Sequence, residues 1–290
     1  MYNPGGEEGL VEIRRMEYYD IAAADLVAQA AFQTHGSRAD DLRSYLCVQP
    51  DGWLVAEENG SIAGLVGAID YGPFAWVGVM VVLPELQGRG IGRKLLERTL
   101  EWLDARRCPL VRLDATPAGQ RLYPKLGFAE AGRTHQYLLS PQLPAECESS
   151  RVHAMECSEL EEVIEFDETV FGARREKVLR LLWDKYPGRR FVSHDERGRV
   201  TGYLFAQRQR IGPWLAITAE HGKILFAAAG ALRYDGEVRI IVPEENEEAG
   251  LLLNEAGCVL RAAHSHMIRG KGSLPGMRRH IWSQASYALG

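Results

Sequence analysis

The segment that most constrains the fold is a glycine-rich loop that joins an apolar strand to a long helix. The strand-like stretch Trp76–Leu83 is apolar on both faces and ends at Pro84. The loop Gln87–Gly92 then carries glycine at every second position, and a strongly patterned helix follows over Gly90–Arg106. Such glycines let several backbone N–H groups point one way, and the start of a helix adds positive potential. The sequence therefore predicts a backbone cradle for a phosphate or pyrophosphate.

The spacing of the glycines excludes two common nucleotide-binding motifs. A P-loop needs four residues between its first glycine and the Gly-Lys-Ser/Thr that follows, and this loop does not have that spacing. The dinucleotide fingerprint is also not met, because Gly92 comes one position too early to be its third glycine. Arg89, Arg93 and Lys94 add positive charge to the loop and to the first turn of the helix.

Helix and strand patterns alternate around this loop. Apolar residues at helical spacing predict helices over Tyr18–Phe32, Ala39–Leu46 and Ala118–Leu126. Strands are predicted at Trp53–Glu57, Ile62–Ile69, Val111–Ala115 and Arg133–Leu139. An antiparallel meander followed by alternating helices and strands predicts an α/β fold, with a central mixed sheet flanked by helices.

The second half of the chain repeats the pattern of the first. Ala63–Val66 leads to Trp76, and Thr201–Leu204 leads at the same spacing to Trp214. Two packed copies of one fold explain this better than a solenoid, because only two long repeats occur. We predict a disordered tail at 1–9, a first domain at 10–140, a linker at 141–151 and a second, degenerate copy at 152–290. In that second half a helix is predicted over Phe166–Trp183.

The loop and a second segment together resemble the GNAT superfamily of N-acyltransferases. That family binds acyl-CoA with Gln/Arg-x-x-Gly-x-Gly/Ala preceded by Val-x-Pro, and the matching residues are Val82, Pro84, Gln87, Gly90 and Gly92. Downstream, Leu113–Gly119 leads to Leu122–Phe128, which is similar to the family's second CoA-contacting unit and its Tyr-x-x-x-Gly-Phe ending. The resemblance covers about Val11–Ser140, with a faint echo over Val152–Gly270, and indicates a tandem member of the family.

The resemblance implies a direct acyl transfer from acetyl-CoA to a primary amine. Backbone groups of Met80, Val81 and Val82 would pair with the pantetheine arm, and one N–H would polarise the thioester carbonyl. Tyr123 would protonate the leaving thiolate. The pyrophosphate would be held by Gln87, Gly88, Arg89, Gly90, Ile91, Gly92 and Arg93. Thr116 stands where many relatives carry Asn, and it is retained as a CoA contact.

The general base is less well defined by the sequence. The strand Trp76–Leu83 has no acidic residue, so Asp70, at the end of the preceding strand, is the first candidate for accepting the amine proton, directly or through water. Glu57 is the second candidate and His35 the third. The simpler interpretation of each is a solvated or capping residue.

The second copy lacks the features that hold acyl-CoA. Thr218–Lys223 stands where the glycine loop would be, and Leu253 occupies the position of Tyr123. We expect this copy to cover the acceptor cleft or to supply acceptor contacts. Aromatic and acidic residues there are candidates, although core and surface positions are the simpler interpretation: Tyr203, Trp214 and Glu220.

Composition narrows the choice of partners. The net charge of −5 over 290 residues argues against binding to nucleic acid by phosphate neutralisation. No apolar run approaches the length of a membrane span. The five cysteines are odd in number and scattered without metal-ligand spacing, which predicts reduced thiols, a cytoplasmic location and no metal site. The expected acceptor is a small-molecule amine, with no nucleic acid and no membrane as partner, and the oligomeric state stays open, a homodimer included.

Other functions stay open at this point. A non-catalytic acyl-CoA-binding regulator would keep the loop, and an intact Tyr123 favours the enzyme over it. Acetylation of a protein N-terminus or lysine would be disfavoured by a second domain over the cleft. Aminoacyl-tRNA-dependent transfer would require a basic surface, which the net charge of −5 does not suggest.

Overall fold

A computed structural model of the chain describes residues 10–34, 36–139 and 151–290. The chain forms two compact units. Unit 1 comprises the residues up to Asp70 together with Val77–Cys108, and unit 2 comprises Tyr71–Trp76 and Pro109–Gly290. The predicted tail at 1–9 and all but the last residue of the predicted linker lie outside the described residues.

The described residues of unit 1 form four strands and three α-helices. In chain order they are β1 (Val11–Arg15), α1 (Ile21–Phe32), α2 (Ala39–Val48), β2 (Trp53–Glu58), β3 (Ser61–Asp70), β4 (Ala75–Val82, shared with unit 2) and α3 (Ile91–Ala105). β1, β2 and β3 form an antiparallel meander, and β4 lies next to β3. The turn between β2 and β3 has positive φ angles at Asn59 and Gly60, which suits a tight hairpin.

The glycine-rich loop of unit 1 lies between β4 and α3. β4, the strand before the loop, lies next to β3, which is buried along nearly all of its length. α3 buries one apolar face, which includes Ile91, Leu95 and Leu103, and it packs on β3. The strand before the loop and the helix after it are therefore both fixed by the core of the unit.

Unit 2 contains the remaining elements. In chain order they are β5 (Leu110–Ala115), β6 (Ala129–Leu139), β7 (Val152–Ala154), α4 (Leu160–Phe171), α5 (Glu176–Lys185), β8 (Arg190–His194), β9 (Val200–Ala206), β10 (Arg210–Ala216), α6 (Ala219–Gly230), β11 (Val238–Pro243), α7 (Glu247–Glu255), β12 (Val259–Gly270) and β13 (Ile281–Ser283). The sheet of unit 2 is mixed: β5 runs parallel to the start of β4, β10 runs parallel to β11, and the other pairs are antiparallel. The predicted α/β fold with a mixed sheet flanked by helices is confirmed.

The two halves of the chain exchange strands inside unit 2. Neighbouring strands follow the order β5-β12-β6-β11. β12 pairs with β5, where Met267 lies opposite Leu113. β6 pairs with β11, where Tyr137 lies opposite Ile240. β12 and β6 also pair with each other. The last long strand of each half thus extends the ladder of the other half.

Two predicted helices differ from the structure. The stretch predicted as a helix over Ala118–Leu126 forms two short 3-10 turns, Gly119–Arg121 and Tyr123–Leu126, and Pro124 lies inside the second turn, where a regular helix would lose a hydrogen bond. The helix predicted over Phe166–Trp183 is two helices, α4 and α5. Gly172 ends α4 with a φ of +91°.

None of the helices among the described residues combines the length and the apolarity that crossing a bilayer would require.

The strand exchange makes the two halves depend on each other. If residues 1–140 and 151–290 are co-expressed as separate chains, we expect them to purify together as a stable one-to-one complex, because β6 and β12 complete ladders across the cut. Size-exclusion chromatography with mass spectrometry measures this. Two fragments that purify separately as folded monomers would contradict the exchange.

Candidate functional site

The glycine-rich loop in unit 1 has the backbone conformation of an anion cradle. Gly88 and Gly90 have φ angles of +81° and +82°, in the left-handed region that favours glycine. A Cβ atom at either position would meet no atom within 4 Å, so the glycines serve the backbone conformation rather than tight packing. Both residues are exposed. The loop therefore offers its backbone groups to solvent or to a ligand.

The N-terminus of α3 is open to a ligand. Gly90 is the N-cap residue and has no side chain with which to cap the helix. Lys94 N donates to Gly90 O in the first hydrogen bond of the helix. The N–H groups of Ile91, Gly92 and Arg93 consequently have no acceptor within the helix. Amides at a helix start together with the helix dipole favour an anionic group.

The side chains around the loop are largely paired within unit 1. Both Nη groups of Arg89 donate to the carboxylate of Glu58, at 2.6 and 3.1 Å. Arg93 Nε donates to Glu97 Oε1 at 2.8 Å. The side-chain amide of Gln87 donates to Val82 O at 3.1 Å and so ties the loop back to β4. Because two of the cations are paired with carboxylates, the backbone amides supply much of the attraction for an anion.

The strand before the loop contains an unusual backbone conformation. Val79 has a φ of +51°, which is a genuine outlier for a β-branched residue. It immediately precedes Met80, Val81 and Val82, the residues predicted to pair with pantetheine. Strain of this kind concentrates at functional sites and re-aims the neighbouring backbone groups. Nothing in the sequence signals this feature, because valine ordinarily favours a regular strand.

Asp70 lies at the end of β3 in a charged cluster of unit 1. Asp70 Oδ2 accepts from Arg106 Nε at 3.1 Å, and Asp51 Oδ2 accepts from Arg106 Nη1 at 3.0 Å. Glu57, the second candidate base, accepts from Arg14 Nε at 2.8 Å. His35 lies outside the described residues. Both described carboxylates are thus held by arginine.

Tyr123 lies in unit 2 and is buried. It begins the second 3-10 turn, and its ring contacts Phe128 at 5.7 Å between centroids. A Cβ atom at Gly119 would meet the Tyr123 ring at 2.6 Å, so this glycine makes room for the ring. Burial raises the pKa of Tyr123 to about 12. The phenol therefore keeps its proton at neutral pH, as a proton donor must.

The other predicted residue in unit 2 is Thr116, which has a local role. Its hydroxyl oxygen accepts from Gly119 N at 3.4 Å, and its carbonyl accepts from Gln120 N at 3.1 Å. Unit 1 holds Met80–Val82, Gln87–Arg93 and Asp70, whereas unit 2 holds Thr116 and Tyr123. The residues of the cradle are brought together by one continuous segment.

In the second copy, strand β13 lies at the place where β10 and β11 separate. β10 and β11 pair in parallel at Arg210 and Ile211. Beyond that point β13 pairs with β10, and Ser283 Oγ accepts from Ile241 N on β11 at 3.0 Å. Trp282 packs against Gly222 in α6, where a Cβ atom would meet its ring at 2.4 Å. Thr218 Oγ1 also caps α6 by accepting from His221 N. This copy therefore has neither an open strand edge nor an uncapped helix start at that place.

Unit 2 contains a buried polar cluster that the sequence did not predict. His266 Nδ1 lies 3.0 Å from Asp114 Oδ1, which also accepts from Thr134 Oγ1 at 2.7 Å. On the other side of the imidazole, Arg112 Nε donates to His266 Nε2 at 3.4 Å. The Arg112 guanidinium also lies 5.3 Å from the centre of the Trp76 ring. The sequence does contain one signal of this cluster: two charged residues, Arg112 and Asp114, lie within the short, largely buried strand Leu110–Ala115.

Burial controls the protonation of this cluster. Burial lowers the pKa of His266 and lowers the pKa of Arg112 to about 9. Burial alone would raise the pKa of Asp114, but the hydrogen bonds from His266 and Thr134 and the charge of Arg278 hold it below its ordinary value. A neutral imidazole with its proton on Nδ1 satisfies both of its neighbours. The cluster thus places a cation and an anion on opposite sides of one histidine.

The weaker acceptor candidates of the second half have structural positions. Tyr203 is fully buried and hydrogen-bonds to Asp167, which forms an ion pair with Arg175 at 2.8 Å. Trp214 is fully buried against Phe226 and Trp282. Glu220 is exposed and pairs with Arg151. Core and surface positions are therefore the correct interpretation for these three.

Two family models match the chain. The acetyltransferase (GNAT) family model matches residues 12–128, and a second acetyltransferase (GNAT) domain model matches residues 163–283. The chain is a tandem member of the GNAT superfamily. It is therefore an acyltransferase.

Known proteins are similar to this chain over most of its length. YitH, an uncharacterized N-acetyltransferase of Bacillus subtilis, is 24% identical over 242 residues, which cover 80% of this chain and 82% of YitH. A Pyrococcus horikoshii protein classed as an acetyltransferase superposes with a TM-score of 0.85 at 26% sequence identity. The match covers 100% of this chain and 99% of the Pyrococcus chain. A tandem GNAT protein from the clavulanic acid biosynthesis pathway has a TM-score of 0.60 at 15% identity, with 91% and 100% covered, and shares the fold.

The cradle can be tested by calorimetric titration with acetyl-CoA. We expect Gly90→Glu to weaken binding at least about tenfold, or 1.4 kcal/mol, because it places a carboxylate at the start of α3. Gly198→Glu is the matched control, since Gly198 is also exposed, has a φ of +74° and has no atom within 4 Å of a Cβ position. Equal binding by both variants would contradict the cradle.

Proposed function

We propose that this GNAT protein transfers an acetyl group from acetyl-CoA to a primary amine of a small molecule. The observation that carries the proposal is the exposed loop at the start of α3, where Gly88 and Gly90 adopt positive φ and no side chain caps the helix. A coenzyme A pyrophosphate is an anion of the kind that such a helix start attracts. The neutral, buried phenol of Tyr123 supports catalysis over simple binding.

The proposed chemistry is a direct attack that needs no covalent enzyme intermediate. The amine nitrogen forms a bond to the thioester carbonyl carbon, and the carbon–sulfur bond breaks. Backbone groups of Met80, Val81 and Val82 align the pantetheine arm, and an N–H group among them stabilises the developing negative charge on the carbonyl oxygen. Tyr123 gives its proton to the leaving sulfur. Gln87 to Arg93, together with Thr116, hold the coenzyme A.

The proton lost by the amine is assigned to Asp70, directly or through water. Asp70 is held by Arg106 at 3.1 Å, which keeps its carboxylate in place. A positioned carboxylate can accept a proton from an attacking amine directly or through one water. Asp70 is therefore proposed as the base that takes the proton of the amine.

We also propose the kind of partner and the location of the protein. The acceptor is taken to be a small molecule, and nucleic acid and membranes are not partners. A homodimer is compatible with this function. The proposed cytoplasmic location rests on the cysteines: among the residues that the structure describes, Cys47, Cys108, Cys157 and Cys258 form no disulfide.

The role of Tyr123 can be tested by Tyr123→Phe. We expect kcat to fall at least about 100-fold, within the range for loss of a general acid, while the Kd for acetyl-CoA stays the same. The pKa of about 12 means that the phenol is protonated below that value, so its loss of a proton should not limit kcat at neutral or mildly alkaline pH. Thiol release, measured over a pH series, reports both quantities.

The matched control for Tyr123 is Tyr137→Phe. Tyr137 is 5% exposed, so this change removes a hydroxyl from another buried tyrosine. An equal loss of kcat in both variants would indicate a general loss of packing and would overturn the acid role of Tyr123.

The role of Asp70 can be tested by Asp70→Asn. If Asp70 is the base, this variant should lower kcat/KM about 100-fold near neutral pH. The loss should be smaller at alkaline pH, where more of the amine is already deprotonated. Asp51→Asn is the control, because Asp51 pairs with the same arginine, Arg106, at 3.0 Å. If both variants lose the same activity at every pH, the effect comes from Arg106 and the assignment of the base is wrong.

A further inference from the structure

Three potential metal ligands converge in unit 2, on elements that carry none of the residues proposed for acetyl transfer. They are His153 on β7, His194 at the end of β8, and Glu159 in the 3-10 turn that precedes α4. One ligand atom of each lies within 4.8 Å of the other two. The residues come from three separate elements, which is why no ligand spacing is visible in the sequence.

The strand register brings the two histidines to the same face. His153 lies opposite Val192 in the antiparallel pair of β7 and β8, and His194 is two residues beyond Val192. Alternate residues of a strand point to the same face. The two imidazole rings are stacked, with centroids 5.3 Å apart and planes at 7°. The Nε2 atoms of both rings lie near one carboxylate oxygen, Glu159 Oε1.

The carboxylate of Glu159 is oriented by the backbone. Its Oε2 accepts from Glu156 N at 2.7 Å in the capping box of the turn. Its Oε1 lies 2.8 Å from His153 Nε2 and 3.5 Å from His194 Nε2. The first distance is a good hydrogen bond, but the second is long, so the hydrogen bonding satisfies one imidazole better than the other. A cation between the three atoms would satisfy all of them.

The spacing allows a small divalent ion: the two histidine nitrogens lie near Glu159 Oε1, and the three ligand atoms lie within 4.8 Å of one another. Tetrahedral Zn²⁺ with bonds of about 2.0–2.1 Å places its ligand atoms about 3.3–3.4 Å apart. The distance from Glu159 to His194 Nε2, 3.5 Å, is already close to that value, and the distance to His153 Nε2, 2.8 Å, would have to open by a fraction of an ångström. His153 is about half exposed, and the other two are 18% exposed. Solvent can thus supply a further ligand.

We propose that His153, Glu159 and His194 bind one divalent transition-metal ion, with Zn²⁺ as the ion that this ligand set fits best. Two imidazoles and a carboxylate form a mixed nitrogen and oxygen set that suits zinc and not the oxygen-seeking calcium or magnesium. The ion cross-links the three-residue edge strand β7 to β8 and to the turn before α4. Its role is to stabilise the start of the second GNAT copy.

The direct test is calorimetric titration of the chelator-treated full chain with ZnCl₂. We expect one ion per chain, and we expect His153→Ala and His194→Ala each to weaken binding more than about 100-fold, since losing a ligand exceeds the 10–100-fold cost of losing an outer-shell partner. His135→Ala is the control, because His135 lies on β6 and outside the cluster. Circular dichroism checks that every variant is folded.

A cysteine close to the cluster requires its own control. Cys157 is exposed and lies in the same turn as Glu159, and its thiolate could also bind zinc. We expect Cys157→Ser to bind like the natural chain. With CoCl₂ as probe, the expected spectrum shows the strong visible bands of a tetrahedral ion without a thiolate charge-transfer band.

Further measurements separate a bound ion from an ordinary ion pair. Zn²⁺ should slow hydrogen exchange at the amides of Val152–Ala154 in the natural chain and not in His194→Ala, because only a bound ion clamps β7. The proposal is overturned if the natural chain shows no one-to-one binding, if both histidine variants bind like it, or if Cys157→Ser abolishes binding.

Discussion

The exchange of β6 and β12 is the constraint on which unit 2 depends. Each of these long strands pairs with the other and with a strand of the opposite half, so the order β5-β12-β6-β11 holds four strands from two repeats in one ladder. Backbone hydrogen bonds along such a ladder cannot be given up on one side without exposing an unpaired strand edge. The exchange also brings His266 on β12 beside Asp114 on β5, although the two residues are far apart in the chain. The polar cluster of unit 2 therefore exists only because the strands are exchanged.

The two GNAT copies have diverged at the place where a coenzyme would bind. In the first copy, α3 begins at an uncapped glycine after a loop of exposed residues. In the second copy, Thr218 caps α6 and Trp282 of β13 packs against Gly222. An open helix start and a free strand edge leave polar backbone groups that a ligand can satisfy. In the second copy the chain satisfies those groups itself.

Local features of the fold and site could be predicted from the sequence, whereas features that depend on distant residues could not. The glycine pattern of residues 88–92 predicts the loop because Gly88 and Gly90 require positive φ, a property of single residues. The face of α3 was equally readable from its apolar spacing. The strand exchange, the contact between Asp114 and His266, and the cluster at Glu159 were not readable, since each joins segments whose pairing no local pattern encodes. The positive φ of Val79 could not be predicted for a different reason: this backbone conformation opposes the preference of the residue's own side chain.

We propose that the first copy uses its open loop for acetyl transfer to a small amine. The most direct measurement is thiol release from acetyl-CoA by the full chain across a panel of primary amines, with mass spectrometry of the products. We expect thiol release to depend on the amine, and we expect the product amine to gain one acetyl group while the protein itself gains none. Binding of acetyl-CoA without amine-dependent thiol release for any member of the panel would contradict acetyl transfer and would indicate a protein that binds the coenzyme without using it.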